Sequence, residues 1–121
     1  MKQGPKKKAV AKPRAKTDPG LVLARSMCKA INEAKGQRTL ILDLKEHSSY
    51  ADFLVITSAS NTRQVLAISE KIQEKIHSIT KKWPLGVEGT ENALWILVDY
   101  GDVVAHIFLE ETREFCRLEK L

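Results

Sequence analysis

The most regular hydrophobic pattern in this chain lies between residues 61 and 80, where apolar residues recur every three or four positions. This spacing predicts an amphipathic helix, because such residues fall on one face of an α-helix while charged residues cover the other faces. Asn61 is a residue type that caps helix N-termini, and Gln64 stands where the second member of a capping box would lie. The apolar stripe consists of Val65, Ile68, Ile72, Ile76 and Ile79.

A second helix is predicted near the start of the folded part. Asp18 and Pro19 favour a helix start, with Asp as N-cap and Pro at the first helical position. Gly36 is expected to end this helix. Its apolar positions, again at helical spacing, are Leu21, Ala24, Cys28 and Ile31.

A third helix is predicted from Glu110 onward. Acidic residues stand at its start and basic residues, including Arg117, near its end, which matches the helix dipole at both ends. Phe115 and Leu118 are expected to face inward.

The segments between the helices have the patterns of strands. Residues 39–45 alternate, with the leucines predicted on a buried face, and residues 53–56 are apolar on both faces, as in a central strand. Residues 95–98 (WILV) and 103–109 (VVAHIFL) predict a hairpin, since Gly101 supplies the positive φ of a tight turn between them. The hairpin is entered through a glycine-flanked glutamate, Glu88, and a third strand is expected in this part of the chain.

This order predicts an α/β fold: a single small domain over residues 18–121, with a mixed sheet of four to five strands and three helices. The element order is α-β-β-α-β-β-β-α. Residues 1–17 are predicted to be a disordered arm, because they are rich in lysine and proline and poor in large apolar residues.

Charge is concentrated in the arm. Residues 1–20 hold seven basic residues and one acid, whereas residues 21–121 hold 13 basic and 14 acidic residues. The arm is either a solvated tail or a contact for a polyanion such as RNA, and the RNA candidates are Lys6, Lys7, Lys8, Lys12, Arg14 and Lys16. No segment is long and apolar enough to predict a membrane span.

The two cysteines suggest neither a metal site nor a disulfide framework. Cys28 and Cys116 are 88 positions apart on predicted helices, with none of the spacings of zinc or redox motifs. The sequence therefore predicts no metal, no cofactor and a reducing compartment.

Several short motifs, in order and in register across about 100 residues, resemble the ribosomal silencing factor family, also called the Iojap family. The resemblance covers residues 21–121. The motifs are Ser48-Ser49, Ala51-Asp52, Ser60-Asn61, Arg63-Gln64, residues 86–89 (GVEG), residues 99–102 (DYGD), His106, Arg113 and residues 118–121 (LEKL).

The resemblance implies a nucleotidyltransferase-like topology and a role without catalysis. It implies binding to the large ribosomal subunit at universal large-subunit protein fourteen, which prevents the small subunit from joining and limits translation during nutrient shortage or stationary phase. The expected compartment is the cytoplasm of a bacterium, and an organelle is the less favoured alternative. Whether the free protein pairs with a second copy is left open.

The hairpin is the predicted contact surface for the ribosomal protein. Aromatic residues are common interface anchors, and acidic residues suit a basic ribosomal protein. The predicted partner-binding residues are Trp95, Tyr100, Glu88, Asp99, Asp102 and Phe108. The simpler interpretations are that Trp95 fills the core and that both aspartates only form the turn. His106 is interpreted as a structural residue.

Two other functions fit parts of the sequence. A nucleotidyltransferase would need carboxylates converging on a metal and a small-residue turn for phosphate, but Ser58-Ala59-Ser60 lacks the glycine and Asp99 and Asp102 lie in a hairpin turn. A general RNA-binding protein would need a basic folded body with interleaved aromatics, and here only the arm is strongly basic.

Overall fold

A computed structural model describes residues 18–47 and 49–116, except for the side chain of Cys116. The predicted RNA contacts of the arm lie outside this described part, as do Arg117, Leu118 and Lys120. The helices are α1 (Pro19–Glu33), α2 (Thr62–Thr80) and α3 (Glu110–Cys116). The strands are β1 (Gln37–Asp43), β2 (Phe53–Ala59), β3 (Gly86–Glu88), β4 (Trp95–Asp99) and β5 (Val103–Leu109).

The five strands form one mixed sheet in the order β1-β2-β5-β4-β3. The central pair, β2 and β5, is parallel, whereas the other neighbouring pairs are antiparallel. The long connection through α2 allows β2 and β5 to run in the same direction. The predicted α/β class, element order and mixed sheet are confirmed.

Helices α1 and α2 pack side by side on one face of the sheet. Their apolar stripes meet the inward residues of β2, β4 and β5 in the main core, where Met27, Ile31 and Ile72 are fully buried. Ile79, the last member of the predicted stripe, is 58% exposed, so the buried stripe ends one turn earlier than expected.

The helix starts follow the predicted caps with one correction. The Asp18 carboxylate accepts a hydrogen bond from the Gly20 N–H, and the Asn61 side chain accepts one from the Gln64 N–H at 2.9 Å. The predicted capping box is wrong, because the Gln64 amide donates to the carbonyls of Lys35 at 3.0 Å and Ala34 at 3.3 Å. Gln64 therefore ties the start of α2 to the end of α1.

The end of α1 uses Gly36 differently from the expectation. The left-handed residue is Lys35, with φ of 67°. A Cβ on Gly36 would lie 2.4 Å from the Ile31 side chain and 2.7 Å from the Thr57 hydroxyl. Gly36 is thus required for close approach of the chain to the sheet.

A smaller apolar cluster lies on the sheet face opposite α1 and α2. Its fully buried members come from the central strands, including Ile56 and Phe108, and Leu42 and Leu44 pack against it. Ile41 packs on the main core instead, and Leu40 is 40% exposed. Strand β1 is therefore half covered on both faces, rather than buried on the leucine face alone.

Helix α3 is anchored by a buried arginine. Arg113 is 2% exposed and donates to the Ser58 hydroxyl at 3.2 Å. Arg38 forms exposed ion pairs with Glu110 at 2.6 Å and Glu114 at 2.8 Å. The prediction that Phe115 faces inward is wrong: its side chain is 89% exposed, because Arg113 occupies the inward position.

Candidate partner-binding face of the sheet

Strand β4 directs Trp95 away from the two long helices. Ile96 and Val98 belong to the main core, so Trp95, Leu97 and Asp99 point to the opposite face by strand alternation. The antiparallel register places Trp95 across from Phe108, Leu97 across from His106 and Asp99 across from Val104 on β5. This face therefore carries the predicted tryptophan and one of the predicted aspartates.

Trp95 is exposed and also fixed in position. Its ring stacks on Phe108 with centroids 5.0 Å apart at 27°, and its Nε1–H donates to His106 Nδ1 at 2.9 Å. The side chain nevertheless remains 40% exposed. A large aromatic held on one side and open on the other has the character of an interface anchor, because little conformational entropy is lost when it is covered.

His106 supports Trp95 from inside the sheet. It is 5% exposed, and its Nδ1 accepts the indole hydrogen bond, so the neutral ring carries its proton on Nε2. Burial lowers the pKa of His106 to about 4. Nε2 has no hydrogen-bond partner among the described residues. These contacts favour a structural role for His106 at neutral pH.

An acidic rim borders the tryptophan. Glu88 on β3 is exposed, and Tyr50, in the connection between β1 and β2, is 53% exposed. Burial raises the pKa of Tyr50, and the negative charges of Asp99 and Glu88 raise it further. The tyrosine therefore lies within electrostatic range of both acids. Asp99 also accepts from the Gly101 N–H at 2.7 Å, so it stabilises the turn as well.

The GVEG motif shapes the loop next to Trp95. Gly89 has φ of 91°, and a Cβ there would lie 2.1 Å from the Trp95 carbonyl oxygen. The Gly89 carbonyl accepts from the Ala93 N–H at 3.0 Å, which closes the loop. A shallow cavity of about 250 Å³ results, lined by Glu88, Gly89, Trp95 and Leu97.

The structure divides the six predicted partner-binding residues. Glu88, Trp95 and Asp99 lie together, whereas Phe108 is fully buried beneath the indole. Tyr100 and Asp102 lie on the other side of the sheet.

That second side holds a cavity of about 260 Å³ between the hairpin turn and the ends of the long helices. Its lining includes Leu23 of α1, Ile76 of α2, Tyr100 and Asp102. Burial raises the pKa of Tyr100 to about 12, and its hydroxyl has no hydrogen-bond partner among the described residues. Tyr100 is therefore a partly buried residue at the edge of the main core.

Two residues of the face were absent from the sequence prediction. Leu97 could have been found by extending the alternation of β4, whereas Tyr50 lies in a connection without periodic signal.

Neither a metal centre nor a membrane span is found in the described part of the chain. Residues 18–47 and 49–116 contain no group of three or more His, Cys, Asp or Glu residues placed to hold a metal ion. Within the same ranges, no helix has the length and apolar character needed to cross a membrane.

Comparison with known proteins identifies the family. Residues 17–121 match the family described as "Ribosomal silencing factor during starvation". A ribosomal silencing factor from Zymomonas mobilis is 32% identical over 104 residues, covering 86% of this chain and 77% of that protein. One from Bacillus subtilis is 35% identical over 94 residues, covering 76% and 77% respectively.

A more distant relative and a solved structure are also similar to this chain. The Mus musculus protein named "Mitochondrial assembly of ribosomal large subunit protein 1" is 32% identical over 83 residues, covering 67% of this chain and 36% of its own length. A crystal structure of a Chromobacterium violaceum protein superposes with a TM-score of 0.81 at 27% identity and covers 85% of each chain. The chain belongs to the ribosomal silencing factor family, whose role is the regulation of translation.

Proposed function

We propose that this chain represses translation by binding the large ribosomal subunit at universal large-subunit protein fourteen, where it blocks joining of the small subunit. The observation that carries the proposal is the fixed and exposed indole of Trp95, bordered by Glu88 and Asp99. Such a face suits a basic protein, since the aromatic anchor supplies affinity and the acids steer encounter. The name of the mouse relative refers to the large ribosomal subunit, in line with this partner.

Blocking subunit joining requires occupancy rather than chemistry. The relatives are named as regulatory factors rather than enzymes. Asp99 and Asp102, the acid pair that a transferase would use, point to opposite sides of the sheet, since Asp99 shares the face of Trp95 on β4 and Asp102 lines the cavity beside α1. This separation favours a binding role over metal-dependent transfer. The proposed site of action is the cytoplasm.

The test is co-sedimentation of the full chain with isolated bacterial large subunits, followed by addition of small subunits. We expect the protein to migrate with the large subunit and to reduce the joined-ribosome peak. Trp95→Ala should weaken binding by on the order of tenfold or more, because interface anchors contribute about 2 kcal/mol or more. Phe115→Ala is the matched control, since that exposed aromatic lies on α3.

A second variant separates lost contact from lost folding. Glu88→Lys reverses an exposed charge of the rim without removing the Trp95–His106 hydrogen bond, and it should slow association most strongly at low salt. Thermal unfolding of each variant checks the fold. Normal binding by both folded variants, or a chain that leaves subunit joining undisturbed, would contradict the proposal.

A further inference from the structure

In the folded part of the chain, the layer formed by α1 and α2 and the remaining residues carry opposite net charges. Residues 19–35 and 62–82, which contain α1, α2 and the turns that end them, hold eight basic and three acidic residues, a formal charge of +5. The other residues between 18 and 116 hold three basic and eleven acidic residues, a formal charge of −8. The formal charge summed over residues 18–116 is therefore close to neutral although the helix layer is strongly basic.

Most of these basic side chains are available to a partner. All are exposed except Lys71 and Lys75, which are half-buried. Lys75 pairs with Glu33 at 3.2 Å and so links the two helices. The remaining ion pairs of the described part involve Arg38 and Lys45, which lie outside the helix layer. The basic residues of the layer are Arg25, Lys29, Lys35, Arg63, Lys71, Lys75, Lys81 and Lys82.

One end of the helix layer carries an exposed aromatic platform. Trp83 stacks on His77 with ring centroids 4.0 Å apart at 14°, and it remains 58% exposed. We call residues 77–83 the Trp83 turn. It lies at the C-terminus of α2, where the helix dipole favours positive charge.

The backbone of the Trp83 turn holds this stack in place. Lys81 is left-handed, with φ of 64°, and its N–H donates to the His77 carbonyl at 2.9 Å. The Thr80 hydroxyl donates to the Ile76 carbonyl at 2.8 Å and accepts from the Lys82 N–H at 3.1 Å. A non-glycine residue in this conformation carries a local cost, which these bonds offset.

We propose that the Trp83 turn and the adjoining basic helix layer bind single-stranded RNA. Trp83 stacks against an unpaired base, and Lys81 and Lys82 contact neighbouring phosphates. Proteins bind single strands with fixed aromatic side chains beside basic residues, since every base offers a π-face and every phosphate linkage carries a charge. An apolar protein partner could cover the nearby exposed Leu85 and Ile79, but it would offer no negative charge to the lysines. The charge therefore favours RNA.

The surface is separate from the face proposed to bind the ribosomal protein. Trp95 lies on the sheet face opposite α1 and α2, whereas Trp83 lies at the end of α2. Free RNA is therefore a sufficient probe, and failure with RNA leaves the subunit-binding test unaffected.

The experiment measures binding of the full chain to a fluorescein-labelled twelve-nucleotide oligouridylate by anisotropy over a series of KCl concentrations. Trp83→Ala should weaken binding by on the order of tenfold, the usual effect of losing one stacked base. Trp83→Phe should retain most of the affinity, because it keeps an aromatic face. Thermal unfolding checks that both variants fold.

A matched pair of charge variants separates local contact from net charge. Lys82→Gln should lower the slope of log K against log salt by about 0.7, the value for one phosphate contact on a single strand. Lys45→Gln removes one charge from outside the helix layer and should leave the slope unchanged. The arm is identical in both variants, so its contribution cancels.

Tryptophan emission provides an independent measurement. The chain contains two tryptophans, so Trp95→Phe leaves Trp83 as the sole emitter. Its fluorescence should be quenched saturably by the oligouridylate at the concentrations that give the anisotropy change. Unchanged emission, or equal slopes for Lys82→Gln and Lys45→Gln, would overturn the proposal. Trp83-dependent binding to phosphatidylglycerol vesicles without binding to RNA would also overturn it.

Discussion

His106 connects a single residue to the stability of the whole domain. Its folded pKa of about 4 lies below the ordinary value of 6.5, because burial disfavours the charged ring. The unfolded chain therefore binds the extra proton first as pH falls, so stability is complete above pH 6.5 and declines toward pH 4. We expect the free energy of unfolding to fall by about 2 kcal/mol between pH 7 and pH 5 from this residue alone.

Urea denaturation at several pH values measures this effect, and His106→Gln supplies the control. Glutamine does not titrate, so the variant should lose stability less steeply between pH 7 and pH 5, whatever its stability at pH 7. The two other histidines are present in both proteins, so a difference between the two pH profiles is due to His106. Parallel pH profiles for the two proteins would contradict the buried, neutral state of His106.

Tyr100 gives the opposite kind of residue-scale prediction, since its hydroxyl is buried without a described partner. Removing a polar group that lacks a hydrogen bond is neutral or stabilising. Tyr100→Phe should therefore leave the free energy of unfolding unchanged or raise it by up to about 1 kcal/mol. Large-subunit affinity should also be unchanged. A clear loss of affinity in the folded variant would restore Tyr100 to the partner-binding site.

The sequence placed the partner-binding candidates near one hairpin, but the prediction did not separate the two sides of the sheet. Alternation along β4 groups Trp95 with Asp99 on one side. The same two-residue period, continued through the turn, places Tyr100 and Asp102 with the core residues of β4 on the side of the helix layer, where the structure has them. Tyr50 carries no periodic signal, and only the folded structure brings it within electrostatic range of Glu88.

At the scale of elements, the loop between β3 and β4 depends on one glycine. Gly89→Ala would place a Cβ 2.1 Å from the Trp95 carbonyl oxygen at φ of 91°. Neither atom can move without shifting the backbone of β4. We expect a loss of about 3 kcal/mol or more in the free energy of unfolding, as for other backbone clashes at special φ values. Chemical denaturation measures the loss.

Gly86 provides the matched control for this loop. It begins β3 in the same motif, has no positive φ, and a Cβ there would meet nothing within 4 Å. Gly86→Ala should therefore change stability by less than about 0.5 kcal/mol. Equal losses for the two variants would show that the motif depends on general flexibility rather than on the approach of Gly89 to Trp95.

Elements were easier to predict than the contacts between them. The N-caps of α1 and α2 could be predicted because they are hydrogen bonds between residues close together in the sequence. Gln64 departs from the predicted capping box because the end of α1 offers its amide two carbonyls. In α3, Arg113 faces inward and donates a hydrogen bond to the Ser58 hydroxyl, whereas Phe115 is exposed. Such choices depend on residues distant in sequence.

At the scale of the molecule, composition alone misrepresents the charge. The folded part is close to neutral as a sum, yet its helix layer is basic and the rest is acidic. The separation of charge becomes visible only when the structure shows that α1 and α2 pack on the same side of the sheet. The two proposals use different parts of this distribution: the Trp95 face with its acidic rim for a basic ribosomal protein, and the basic helix layer for RNA.

The arm tests whether subunit binding depends on this folded surface or on a general attraction to RNA. Replacing Lys6, Lys7 and Lys8 with Gln in the full chain removes three charges from the arm. This change should lower the salt slope for single-stranded RNA by up to about 2. At physiological salt it should change large-subunit affinity by less than about threefold, because the Trp95 anchor rather than screened charge determines that affinity.

Trp95→Ala, measured by the same co-sedimentation, should weaken subunit binding by on the order of tenfold or more. The order of the two binding affinities should therefore differ between the ligands. The arm variant should bind RNA more weakly than the Trp95 variant does, and the Trp95 variant should bind the large subunit more weakly than the arm variant does. An arm variant that loses more subunit affinity than Trp95→Ala would mean that the basic arm, and not the sheet face, holds the protein on the ribosome.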